Sequence, residues 1–125
     1  MKTFTFKKTL ITVLFLITIV FVGQLVSNTL GYISAADYIE EGNYAEASVK
    51  LEKLDGFRDS ETLKEYCDIM SEYDSASFTS VYHSYRGLKN ISSELDNPRL
   101  STEFLKTMTE VETIYNNYNV LLYAN

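Results

Sequence analysis

Thr9 to Leu30 is an uninterrupted run of 22 uncharged residues, 14 of them Leu, Ile, Val or Phe. At 1.5 Å of rise per residue, a helix of that length is about 33 Å long and matches a hydrocarbon core of about 30 Å. Polar residues in the densest part, Thr9, Thr12, Thr18 and Gln24, form no stripe, so the run lacks the two-faced pattern of a helix packed at a soluble surface. The expected organisation begins with a short basic tail at 1–8 and a single transmembrane helix at 9–30.

A cleaved secretory signal shares the basic start and apolar middle, but its apolar stretch is typically about 7–15 residues long and closely followed by a small-residue cleavage site. Here the best such site, Ser34-Ala35-Ala36, comes after the full-length run, and cleavage there would leave a mature chain starting at Asp37. A retained anchor is the favoured reading; a secreted helical protein is an alternative. Orientation follows from charge. Lys2, Lys7 and Lys8 precede the run, whereas the first acidic residue is Asp37. That asymmetry places the N-terminus in the cytoplasm and the following domain outside the cell membrane.

From Gly31 onward the chain has eight Lys and Arg against seventeen Asp and Glu, a net charge of −9. Such a domain is unsuited to nucleic acid, whose phosphates require clustered cations. The expected partners are membrane lipid, through residues 9–30, and a protein. One cysteine, Cys67, and one histidine, His83, supply neither an intramolecular disulfide nor the Cys and His ligands of a structural zinc site. No cofactor is expected.

The remaining sequence is patterned as helices. Gly42-Asn43 ends a helix over Ser34–Glu41 and starts another through Leu54, with Asn43 and Glu46 at the spacing of a capping box. Tyr44, Ala47, Leu51 and Leu54 make its apolar face. Asp59 or Ser60 is placed to cap a helix over Glu61–Tyr73 that presents Leu63, Tyr66 and Met70, with Cys67 and Ile69 at the border. Ser77 caps a helix starting at Phe78. Asn97 caps the last helix, 97–123, with Pro98 at its first position. Phe104, Met108, Val111, Tyr115, Tyr118 and Leu122 then form one seam. The seam is expected to close the helical region at 31–95 as a cap; self-association through it is the less favoured reading.

Gly42–Leu54 and Ala76–Leu88 align without gaps at an offset of 34 residues, placing Tyr44 on Phe78, Ala47 on Val81, Leu51 on Tyr85 and Leu54 on Leu88. This offset is the period of tetratricopeptide repeats. Gly42-Asn43-Tyr44-Ala45-Glu46-Ala47 resembles the turn and second-helix start of that family, with Leu51 and Leu54 at its later packing positions. Asp59-Ser60 stands where the family usually has proline, and Gly56–Ser60 is similar to a variant turn of bacterial surface and membrane proteins. The second copy departs at Ala76 and Val81. Together with the apolar span and the last helix, the resemblance implies an all-α fold: one transmembrane helix, about two tetratricopeptide-like hairpins and a C-terminal capping helix.

Such a fold implies a non-catalytic, membrane-anchored protein-interaction module on the extracytoplasmic side, or alternatively a small structural subunit of a larger membrane complex. The acidic pairs Glu40-Glu41, Glu61/Glu65 and Glu110/Glu112 fit solvated helix faces rather than an acid–base site. Cys67 is expected to pack and His83 to lie on a helix surface. Of the ten tyrosines, most are assigned to packing, whereas Tyr38, Tyr73 and Tyr82 are candidate partner contacts. Asn90-Ile91-Ser92 fits a glycosylation sequon, relevant only in a eukaryotic secretory pathway.

Overall fold

A computed structural model describes residues 2–91 and 95–124. Among them are five helices and no strand: α1 (Lys2–Glu40), α2 (Tyr44–Glu52), α3 (Ser60–Ser71), α4 (Phe78–Asn90) and α5 (Pro98–Tyr123). The chain is therefore all-helical, as its periodicity implies.

The expected basic tail, transmembrane helix and first domain helix are one element. α1 runs unbroken for 39 residues, about 58 Å. Nothing between Leu30 and Ser34 interrupts it, because Gly31 is a single glycine among helix-compatible residues. Its most apolar window is unburied by the protein. Its last two turns, by contrast, place Tyr32, Ala35, Ala36 and Ile39 in the core.

α1 ends as its sequence dictates. Gly42 adopts φ +75°, its N–H donates to the Ile39 carbonyl and the Asn43 N–H to the Tyr38 carbonyl, satisfying carbonyls that a helix end leaves unpaired. The capping box expected at Asn43 does not form: Asn43 occupies the N-cap position, but its side chain makes no capping bond. α2 also stops at Glu52, leaving Leu54 buried in the following turn rather than in the helix. At Ser77 and Asn97 the expected caps are present, accepting from the N–H groups of Ser80 and Arg99.

The helices alternate in direction. Leu54, after α2, reaches back beside Gly31, where an added Cβ would lie 2.9 Å from the leucine Cδ2. Tyr118 near the far end of α5 donates to the Ser75 carbonyl in the α3–α4 turn. One end of the domain, comprising the α2–α3 and α4–α5 turns, thus adjoins the apolar part of α1, and α5 points away from it. α1–α2, α2–α3 and α4–α5 pack extensively; α3 and α4 meet more sparsely.

Tyr66 joins these layers. It is 1% exposed, its ring stands edge-on to Tyr44 and Phe104 at 5.6 and 5.2 Å, and its hydroxyl donates to Thr107 Oγ1 at 3.0 Å. Edge-to-face contacts align the positive ring edge with a negative face.

Asp59 is a second junction. It occupies the N-cap position of α3 but makes no side-chain cap there. Its Oδ1 accepts from the Tyr32 hydroxyl at 2.7 Å and its Oδ2 from the Asp96 N–H at 2.8 Å, so one carboxylate ties α1 to two turns. The turn is tight: Asp55, Gly56 and Arg58 all have positive φ, 48°, 78° and 55°. Hydrogen bonds to a charged group contribute about 1.5–3 kcal/mol, so Asp59→Ala is expected to cost about that much in a urea titration. Asp59→Asn, which keeps one acceptor oxygen, should lose less. Equal stability of Asp59→Ala and the parent would contradict this junction.

Candidate functional site

The clearest functional feature is the passage from apolar helix to folded domain. From Phe4 to Leu30, α1 exposes Phe, Leu, Ile and Val on every side. An aqueous protein rarely leaves so large an apolar surface uncovered, whereas lipid solvates it without cost. Lys2, Lys7 and Lys8 lie exposed on the first turns of α1, with the Lys8 ammonium 4.5 Å from the Phe4 ring centroid. All three are part of the α1 helix, which runs through the basic segment.

Tyr32 fastens the other end. The Phe57 ring stands edge-on to it at 6.4 Å, the Arg58 guanidinium lies 4.7 Å over it, and Asp59 accepts a hydrogen bond from its hydroxyl. Neither Tyr32 nor the double use of Asp59 was singled out from sequence. The available signal was a tyrosine two residues past Leu30, which has no partner until the α2–α3 turn is folded beside it.

The second feature is an aromatic layer between α4 and α5. Tyr85 and Tyr115 stack with centroids 4.4 Å apart and planes inclined by 13°, and Phe78 lies against both Tyr115 and Tyr118 at 6.5 and 5.7 Å. Cations sit on its outer side: Arg86 over Tyr82 at 5.7 Å and Lys89 over Tyr85 at 4.7 Å. These contacts arise because α4 repeats aromatic residues at 78, 82 and 85 while α5 repeats them at 115 and 118. The expected six-residue seam is only partly engaged. Phe104 and Val111 are buried, Met108, Tyr115 and Tyr118 half-buried, and Leu122 is 58% exposed because α5 outruns α4.

The three tyrosines named as partner contacts are all half-buried. Tyr38 and Tyr73 pack against the core, and the Tyr73 hydroxyl is buried without a hydrogen-bond partner. Tyr82 lies on the α4 surface in the aromatic layer, 5.6 Å from the His83 ring. They are not brought together into one site.

His83 is exposed and lines a recess of about 430 Å³ with Glu72, Ser77 and Ser80 between the end of α3 and the start of α4. Cys67 is fully buried, and loss of hydration pushes its thiol up to about 12. At pH 8 almost no thiolate forms, so Cys67 is expected to resist maleimide in the folded protein and react on denaturation. The folded thiol keeps its proton above the ordinary value of 9.0, so stability present below that pH is lost as pH rises from 9 towards 12. Rapid labelling of the native protein would contradict this burial. Among the described residues, no three His, Cys, Asp or Glu side chains are grouped to hold a metal ion. Ser92 of the sequon lies outside the described residues.

Comparison with family models, curated proteins and solved structures finds no match for this chain.

Proposed function

We propose that the protein is a membrane-tethered, non-catalytic interaction module, with α1 spanning the cell membrane, its N-terminus cytoplasmic and its helical domain outside. The observation that carries this reading is the continuity of α1, which joins an apolar span to a packed domain without a flexible stalk. A domain so attached holds its binding surface at a fixed height and angle above the bilayer. The charge asymmetry between Lys2, Lys7 and Lys8 and the acidic domain supports the orientation.

The tetratricopeptide-like reading belongs to this proposal. α2 and α4 begin at Tyr44 and Phe78, the residues paired by the 34-residue offset, and the antiparallel succession of helices is compatible with stacked hairpins. The sparse α3–α4 contact is a departure from evenly packed repeats. The α4 surface is the favoured contact face: Phe78 is 36% exposed, Tyr82 is half-buried, and aromatic side chains are over-represented among residues that dominate interface energies.

Crosslinking in intact cells with a membrane-impermeant reagent tests the reading. One discrete adduct is expected, lost in Phe78→Ala/Tyr82→Ala while the protein stays folded and membrane-bound. No adduct, or one indifferent to that pair of substitutions, refutes it. The second reading, a structural subunit of a larger membrane complex, draws on the uncharged tip of α5, where Val120, Leu121, Leu122 and Tyr123 are all more than half exposed. Recovery of a stoichiometric complex in mild detergent would favour that reading.

A further inference from the structure

Within the apolar part of α1, two carboxamides lie one turn apart. Gln24 Nε2 donates to Asn28 Oδ1 at 3.2 Å. That bond leaves the Gln24 carbonyl oxygen, its second N–H and both N–H groups of Asn28 without partners among the described residues. Gln24 lies six residues, about 9 Å, inside Leu30, farther than its side chain reaches, so its free carbonyl oxygen and N–H face hydrocarbon rather than headgroups, whereas Asn28, two residues from Leu30, lies near the outer edge of the span. An amide without a hydrogen-bond partner is disfavoured there, and carboxamides in spans characteristically bond across to another helix.

The shape around the pair selects the kind of helix. Ile17, Val20, Gln24 and Asn28 recur at steps of three, four and four, and therefore share one side of α1. Ile17, Val20 and Gln24 border a shallow recess of about 470 Å³. Three residues beyond Asn28 the same side carries Gly31, where Leu54 rests on the helix, and then the buried Ala35. The domain therefore roofs the stripe at its outer end. A second copy packed alongside in the same orientation fits poorly, because its own α1 continues as helix to Glu40 and would meet Leu54 and the turn after it.

We propose that the Gln24–Asn28 stripe docks a transmembrane helix of a different protein, one that ends beneath the domain and brings a hydroxyl or carboxamide to the depth of Gln24. Such a side chain supplies both the acceptor and the donor that the pair lacks. The proposal rests on α1 spanning the bilayer, as put forward above, but is independent of what the α4 face binds.

Photo-crosslinking residues placed singly at Ile17 and Val20, on the stripe, and at Ile19 and Val26, on the opposite side, test it in full-length protein in its native membrane. A discrete adduct is expected from Ile17 and Val20 and not from Ile19 or Val26. Gln24→Leu/Asn28→Leu should lower its yield about fivefold or more, the scale of interhelical hydrogen bonding. This double variant should remain in the membrane pellet after alkaline extraction. Equal adducts from both sides, or an adduct unchanged by Gln24→Leu/Asn28→Leu, overturns the docking site. An adduct containing two copies of this chain overturns the assignment to a different protein. Release of the parent protein by alkaline extraction overturns the spanning reading itself, which separates that failure from failure of the docking site.

Discussion

Tyr66→Ala is expected to lower the unfolding free energy of the domain by about 3–5 kcal/mol, the cost of removing a buried aromatic side chain and leaving its cavity. A domain of this size has about 5–14 kcal/mol in total, so much of its margin disappears. The thermal midpoint of full-length protein in detergent, followed by circular dichroism, should fall by roughly 15–30 °C. The effect is large because Tyr66, on α3, touches two other helices at once: Tyr44 of α2, and Phe104 and, through its hydroxyl, Thr107 of α5. Tyr66→Phe separates packing from hydrogen bonding. It keeps both edge-to-face contacts and removes the donor to Thr107, for which about 1–2 kcal/mol is expected. Loss of hydration holds the Tyr66 phenol in its neutral form, so the cost of either substitution relative to the parent should not vary between pH 6 and pH 8. A cost below about 1 kcal/mol for Tyr66→Ala would show that this residue does not join the layers.

Ile17→Arg/Val20→Arg is expected to remove the protein from the membrane. The fourteen Leu, Ile, Val and Phe residues of Thr9–Leu30 favour insertion by roughly 4–8 kcal/mol on a translocon scale, on which each arginine near the helix centre costs about 2.5–3.5 kcal/mol. Two arginines cancel most of that gain, and one does not. Ile17→Arg alone should therefore remain largely in the pellet after alkaline extraction, whereas the double variant should be soluble or degraded. Full retention of the double variant would contradict anchoring by this segment.

The aromatic layer bears on the first prediction. Tyr85, Tyr115 and Phe78 extend α4–α5 packing outward from Val81, Leu88 and Val111, which are at most 1% exposed. Surface pairs contribute less. Arg99–Glu40 joins α5 to α1 and Lys64–Asp68 lies along α3, but each has an exposed partner and competes with water.

Helix content, the caps at Ser77 and Asn97, the glycine stop at Gly42 and the burial of Ala47, Leu51, Leu63 and Tyr66 follow from local rules. Each depends on residues a few positions apart, a distance over which capping and 3.6-residue periodicity act. The same rules failed at Asn43 and Asp59, whose side chains have the chemistry of helix caps but make no capping bonds. Asp59 is engaged by Tyr32 and the Asp96 N–H, 27 and 37 residues away, and no local pattern records such partners. The end of the α5 seam was missed for a related reason. Periodicity continues through Leu122, but packing stops where α4 offers no further surface.

The amino-acid sequence alone determined that this chain carries a membrane-length apolar helix, that its charges are divided across it and that the rest is helical, because hydropathy, charge and periodicity are sums over neighbours in the chain. Tertiary structure decided that the apolar helix and the first domain helix are one continuous element, that Tyr32 and Asp59 tie it to two turns and that the domain roofs the Gln24–Asn28 stripe. Those features depend on which distant residues meet, and that is set only when the helices pack.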